Sequence, residues 1–195
     1  MRRCALPILV ALAVTPGVAL AQPRYTLETT ASVGYGFMQA GRFDRGPETS
    51  GSNGGLAAGL LVALRSPYYL TPWLELGYAK LYGSSLAYTD AAGMRHTATA
   101  GMRTLAVVFG PAVDFWRLRV GLGIGIYNLG VSSTVDGVSQ SVGELDMGYS
   151  FMVSGRILTR GRFRLGVQVR GLLIIEAEIN TLSVLLDLGF DALRW

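Results

Sequence analysis

Residues 116–128, WRLRVGLGIGIYN, constrain the fold more than any other stretch. Every second residue is bulky and apolar: Trp116, Leu118, Val120, Leu122, Ile124 and Ile126. Between them stand Arg117, Arg119, Gly121, Gly123, Gly125 and Tyr127, which are charged, small or amphipathic. A strict period of two is a β-strand with one apolar face and one polar or small face. The run exceeds the usual globular strand of about 5–6 residues. It reaches the roughly 9–11 residues with which a tilted strand crosses a bilayer. Such a strand suits a barrel wall that turns its apolar face to lipid.

The N-terminus reads MRRCALPILVALAVTPGVALAQ. Arg2 and Arg3 precede an apolar core, and Ala19-Leu20-Ala21 gives an A-x-A cleavage site. Residues 1–21 are therefore expected to be a secretory signal peptide, and residues 22–195 the mature chain. The apolar core is broken by Pro16-Gly17 and falls short of the ~20 residues of a membrane-spanning helix. Cys4, the sole cysteine, lies in this leader, so no disulfide, thiol nucleophile or cysteine metal site is expected afterwards. Without Arg2 and Arg3 the net charge falls from +4 to +2, and no basic tract points to nucleic acid. No later segment offers ~18 uninterrupted apolar residues for a helix across the membrane. A closed barrel is the remaining way for an exported apolar chain to bond every peptide group in lipid.

The same alternation recurs at 25–37, 56–65, 73–82, 99–109, 145–157, 163–175 and 181–190. With residues 116–128 this predicts an all-β, antiparallel, up-and-down transmembrane β-barrel of about eight strands. Polar stretches 41–55, 83–96 and 129–144 read as long outer loops, and 66–72, 110–115 and 158–162 as short periplasmic turns. The first half of strand four has ambiguous parity, which suggests a bulge. Aromatics mark two interfaces. Tyr25, Tyr68, Tyr69, Trp73, Phe109, Phe115, Trp116, Phe163, Phe190 and Trp195 fall toward one rim; Tyr35, Phe37, Tyr82, Tyr127 and Tyr149 fall toward the other.

On this strand pattern, the run LTPWLELGYAKLYG at 70–83 and the terminal Trp195, the chain resembles the eight-stranded outer-membrane barrels of Gram-negative bacteria, the OmpA/OmpX-like and opacity-like group. The resemblance covers residues 22–195. It implies a bacterial outer-membrane location, with outer-membrane lipid, lipopolysaccharide and the barrel assembly machinery as partners. In that family a C-terminal aromatic among alternating apolar residues is the assembly signal. Here Asp187 and Asp191 share the parity of Trp195, whereas Leu188 and Phe190 lie on the other. Either Phe190 carries the signal or a bulge shifts the phase.

Inward parity collects Glu28, Arg65, Glu75, Arg117, Arg119, Arg156, Arg164, Arg170 and Asp187. Buried charges of both signs are expected to pair in a lumen network, because an unpaired one costs several kcal/mol. The surplus of arginine keeps open a narrow, Arg-lined channel for small solutes. Gly121, Gly123 and Gly125 lack the spacing of a phosphate loop and read as room for lumen side chains. Lys80 and Arg103 take lipid parity at similar heights on adjacent strands, a placement that offers contact with lipopolysaccharide phosphates.

His96, the one histidine, has no serine adjacent in sequence but shares its expected loop with Ser84 and Ser85; the resemblance to outer-membrane barrels, some of which modify lipid A with His and Ser near the outer rim, implies a lipid A-modifying enzyme as a further alternative. Asp44, Glu48, Asp90, Asp136, Glu144 and Asp146 are scattered without calcium-loop spacing. No catalytic residue, cofactor or metal site is assigned. The leading expectation is a non-enzymatic barrel with a packed polar lumen and a structural or surface-interaction role through its outer loops, the ligand of which the sequence does not name. A soluble, lipocalin-like barrel would invert the two faces.

Overall fold

The computed structural model describes residues 25–40 and 50–195; the expected leader and residues 41–49 of the first outer loop, with Asp44 and Glu48, lie outside the described residues. Eight long strands run up and down: β1 (Thr26–Ala40), β2 (Gly54–Arg65), β3 (Leu70–Thr89), β4 (Arg95–Phe115), β5 (Leu118–Val135), β6 (Val138–Arg160), β7 (Phe163–Ile174) and β8 (Ile179–Arg194). A short strand, Ser50–Ser52, adds to the far end of β3. Neighbours pair antiparallel in sequence order, and β8 pairs β1, so the sheet closes on itself. Closure leaves no sheet edge within the wall, the condition for a sheet to stand in hydrocarbon.

The faces point as the alternation predicts. Leu118, Val120, Leu122, Ile124 and Ile126 are exposed on the outside, while Arg119 and Tyr127 are buried inside. Val33, Leu60, Leu76, Val107, Phe151, Val184 and Leu186 continue the outer apolar belt around other strands. A lipocalin-like barrel would have these residues inside, so that architecture is overturned.

The glycines of β5 make room for one large side chain. A methyl group on Gly123 would lie 2.9 Å from the Trp73 ring, and one on Gly121 would lie 3.0 Å from Trp73 Nε1. Trp73 is thus a lumen residue, not the rim aromatic expected from its place near a strand end. Tyr127 is corrected in the same way: it is fully buried in the lumen rather than at the rim.

Three one-residue bulges reset the faces. On β3 the register shifts between Lys80 and Tyr82. Leu81, the extra residue, is buried. The irregularity expected in β4 therefore sits on its partner strand. On β6 the shift falls at Ile157, and on β8 at Ala192.

Two expected outer loops are largely strand. Residues 83–96 extend β3 and β4 and leave a turn at Asp90–Met94. Residues 129–144 extend β5 and β6 around Asp136-Gly137. Both residues of that pair have positive φ, 48° and 84°, as a tight Asp-Gly hairpin turn requires. Small Ser, Thr, Gly and Val residues looked loop-like in composition, yet their alternation pairs well once the turn is set. The turns at the chain-terminus end are shorter than expected, so β4 continues to Phe115 before the turn at Trp116-Arg117.

Gly123→Ala should destabilise the barrel by about 1–3 kcal/mol through overpacking against Trp73. Urea unfolding of the refolded chain, followed by the gel-mobility shift of the folded barrel, measures it.

Candidate functional site

The periplasmic half of the lumen is an ionic layer. Its centre is Glu28 on β1, which receives two bonds from Arg119, at 3.1 and 2.9 Å, and a third contact from Arg164 at 2.6 Å. Arg119 also donates to both oxygens of Asp114, at 2.8 and 3.1 Å. Arg156 and Arg65 approach Asp114 at 3.5 and 3.6 Å, and Thr71 Oγ1 donates to it at 2.9 Å. Arg164 reaches Asp191 at 2.5 Å. Higher up, Arg170 pairs with Glu75, and Ser154 donates to Asp187 at 3.0 Å.

The structure brings all but one of the expected lumen charges inside. The exception is Arg117, which sits in an exposed turn with its guanidinium 5.0 Å from the Trp116 ring centre. Its parity ran true along β5, but the strand begins at Leu118, after it. Three inward acids escaped notice, Asp146 at the outer end of the lumen and two in the ionic layer. Asp114 fell in a stretch read as turn, and Asp191, inward on the parity of Asp187, lay one residue past the expected end of the last strand at Phe190. With these corrections Arg65, Arg119, Arg156, Arg164 and Arg170 face Glu28, Glu75, Asp114, Asp187 and Asp191 one for one. The arginine surplus that suggested an anion path is gone. The space left among Glu28, Arg119, Arg156, Arg164 and Asp187 is about 20 Å³, room for about one water.

The outer half of the lumen is apolar rather than polar. Leu81, Tyr127, Leu129, Leu172, Ile174 and Leu185 fill it, all buried. Runs such as Leu172-Leu173-Ile174 are apolar on both faces, the pattern of a strand buried on both sides. Charge below and packed hydrocarbon above close the lumen.

Beyond the barrel mouth β3, β4, β5 and β6 continue as a four-stranded sheet. Their pairing runs to Thr89↔Arg95 and Val135↔Val138, whereas β7 and β8 end at Ile174↔Ile179, beside Gly148 of β6. From Gly148 to Val138 is ten residues, or about 30 Å of strand. After the Leu81 bulge the faces exchange character. Ser85, Thr99 and Ser132 now line the outside, around a groove of about 530 Å³ that also includes Lys80, Gly83 and Gly101. The inner side carries Met102, Val131, Val135, Val138 and Val142, in register across β4, β5 and β6. Val138 and Val142 are about 70% exposed, at 68% and 71%.

Lys80 and Arg103 are directly opposite in the β3–β4 register. Both are exposed on the outer face at the level where the apolar belt gives way to hydroxyls. The Lys80 stem lies over Gly55 and Gly83, and Arg103 lies over Gly130. At the other rim, the Ala192 bulge returns Leu193 to the outer row of Leu188 and Phe190. Trp195 stacks on Tyr25, ring centres 6.2 Å apart, and Phe190 packs on Phe163 at 5.1 Å.

His96 faces no serine at its ring nitrogens. Nδ1 is 2.5 Å from Asp136 and Nε2 is 3.2 Å from Asp90. With both nitrogens held by carboxylates, neither is offered to a hydroxyl in this arrangement. Asp146 receives the backbone N–H groups of Glu176 and Ala177, at 3.3 and 2.9 Å, and so holds the tight β7–β8 turn.

Glu28→Gln should cost about 3–5 kcal/mol, because it strips charge from a buried centre that holds two arginines. Urea unfolding at neutral pH reads this, with Thr29→Ser on the same strand as a mild control.

An eight-stranded barrel with an apolar belt, short turns at one end and extended hairpins at the other is the architecture of bacterial outer-membrane proteins, and on that ground the chain is placed in an outer membrane. No family model and no curated protein matches the sequence. Solved structures do match in fold. Ail, the attachment invasion locus protein of Yersinia pestis, aligns over 87% of this chain and 99% of its own, with a TM-score of 0.53 and 11% identity. A second structure of Ail, with the heparin analogue sucrose octasulfate, gives a TM-score of 0.52 at 9% identity over the same shares. Neisserial surface protein A covers 86% of this chain and 96% of its own, with a TM-score of 0.50 and 10% identity. The chain has the fold of the eight-stranded outer-membrane β-barrels.

Proposed function

We propose that this protein is a non-enzymatic, sealed outer-membrane barrel that acts outside the membrane, through the sheet raised above its mouth. The free edge of β6 carries this reading. Below Met147 that edge is covered by β7; above it, no strand pairs with it among the described residues. The Met147 carbonyl accepts the N–H of Ile175 on that side. Antiparallel geometry then turns the peptide groups of Leu145, Gly143, Ser141 and Ser139 the same way. An open row of N–H and C=O groups is a template for an added strand.

Most such edges are guarded by lysine, proline or bulges; residues 138–145, VSQSVGEL, hold none of these residues and one charge. Exposed Val138 and Val142 beside the edge give an incoming strand apolar contacts on alternate residues. The partner is therefore an extended polypeptide segment with apolar residues at a spacing of two. Ail bears the name of an attachment protein, and surface contact of that kind is in keeping with this architecture.

A second contact is proposed for the outside of the same sheet. Lys80 and Arg103 stand where the belt ends, below a groove of serine and threonine hydroxyls. Cations at that depth suit phosphates, and hydroxyls above them suit sugars, so lipopolysaccharide is the ligand proposed there. At the other rim, the outward row Phe190, Leu193 and Trp195 is the pattern we assign to the assembly machinery.

A synthetic peptide copying residues 138–145 is expected to bind the refolded chain in lipid nanodiscs, and a scrambled peptide is not. Ser141→Pro removes an outward N–H at little cost to the wall and should weaken binding roughly five- to tenfold; equal binding by the variant or by the scrambled peptide overturns the edge reading. The double charge reversal Lys80→Glu with Arg103→Glu should reduce co-purification with lipopolysaccharide while the gel shift of the folded barrel persists. Unchanged lipopolysaccharide content refutes the rim contact.

A further inference from the structure

His96 lies at the top of the raised sheet, where two hairpin tips meet. We infer that His96 with Asp90 and Asp136 forms an acid-closed latch, which locks the tip of the β3–β4 hairpin to the tip of the β5–β6 hairpin and thereby stiffens the raised sheet. The inference rests on the surface-interaction reading for its consequence, though not for its geometry.

Three elements converge on the ring. Asp136, in the β5–β6 turn, holds Nδ1 at 2.5 Å, and its other oxygen accepts the backbone N–H of Thr97 at 3.0 Å. Asp90, in the β3–β4 turn, holds Nε2 at 3.2 Å, and its carboxylate also accepts the N–H groups of Ala92 and Met94, at 2.9 and 2.8 Å. Tyr88 of β3 stacks on the imidazole, ring centres 5.1 Å apart and planes 20° from parallel. Those are the titratable groups that face the ring from each element packed on it. Arg95, next in the chain, takes the opposite face of the strand.

Two acceptors on one imidazole demand two donors. The protonated ring has an N–H at each nitrogen; the neutral ring has one. Protonated His96 therefore bridges both carboxylates, and deprotonation forces it to let one go. The longer contact, to Asp90, is the one expected to open, because the N–H of Thr97, next to His96, ties Asp136 to the same strand.

The sign of the pH response follows. The Asp136 and Asp90 hydrogen bonds hold the imidazole pKa above its usual value of 6.5. Bonds from Thr97 and His96 lower the Asp136 carboxyl, and bonds from Met94 and His96 lower Asp90. A raised histidine gives stability that is complete below its unfolded pKa and is lost as pH climbs through the folded one. Lowered carboxylates give stability that disappears only under strongly acid conditions. The latch is thus fully shut below the ordinary imidazole value of 6.5 and opens as pH climbs through the raised one.

The test uses the full chain in lipid nanodiscs, with the His96 ring signals followed by NMR across pH. The expected midpoint lies above the ordinary imidazole value, with Asp136→Asn and Asp90→Asn each moving it down and Asp136→Asn moving it further. Amide exchange in the Asp90–Met94 turn, corrected for its intrinsic pH dependence, should slow on the acid side in the native chain and lose that pH dependence in His96→Gln. An ordinary midpoint, or one that neither variant moves, overturns the latch. Capture of the 138–145 peptide, compared at pH about 5.5 and about 8.5, then separates the two readings. Peptide binding that is tighter on the acid side, and level in His96→Gln, supports both. A shifted midpoint with no peptide binding at any pH supports the latch and sinks the edge reading. Peptide binding with an ordinary midpoint does the reverse.

Discussion

A sheet in hydrocarbon must bond all its peptide groups to itself. In this chain that requirement is met by closure of β8 on β1, and much else follows from it. Once the wall is a closed cylinder, each residue has two places to go, inside or outside, and its neighbour takes the other. Chemistry then distributes itself by parity. The apolar belt needs no partner of its own, because lipid supplies one. The inside has to be filled by the chain alone, and eight strands enclose just enough space for their own side chains.

The filling is graded along the axis. Near the turns that join the termini's end, Glu28, Arg119, Asp114 and Arg164 share charges in a lattice of short bonds. Toward the outer mouth, Tyr127, Leu129 and Ile174 are buried together. Glycines accommodate the one bulky ring between the two zones: Trp73 fits because Gly121 and Gly123 have no side chain to oppose it. A charge lattice is costly to break from within, whereas an apolar plug repels hydrated ions. The two together fill the cylinder with side chains, and so direct attention to what stands above it.

Fold class, strand number and the sense of the two faces were readable because a period of two survives over long runs, as in residues 116–128. Most lumen charges were readable for the same reason. What the sequence concealed were shifts of phase. An inserted residue at Leu81, Ile157 or Ala192 exchanges inside for outside from that point on; the parity conflict before Trp195 signalled the last, and no local feature placed the other two. Asp191 was missed because the last strand was read as ending at Phe190, and Asp114 because a turn was placed too early. Trp73 and Tyr127 were misplaced because an aromatic near a strand end suits an interface as well as a lumen, and composition cannot separate them. The raised sheet was hidden by its serines and threonines, although Asp136-Gly137 between alternating residues was a legible hairpin signal. The meeting of His96 with Asp136, forty residues away, has no local signature at all.

The inserted leucine in β3 acts as a reading-frame element written in three dimensions. Every side chain of that strand between Leu81 and its hairpin owes its inside or outside position to one extra link. Straightening that bulge, so that Leu81 paired with Met102, would leave the letters untouched, yet send Ser85 toward the axis and Leu86 and Tyr88 toward the surroundings. A ladder without the bulge would thus wear an oily collar where this chain wears a wettable one, from the same text. Whether an extra residue is taken up in a bulge or in the ladder thus decides what a barrel wall presents, without altering its vocabulary.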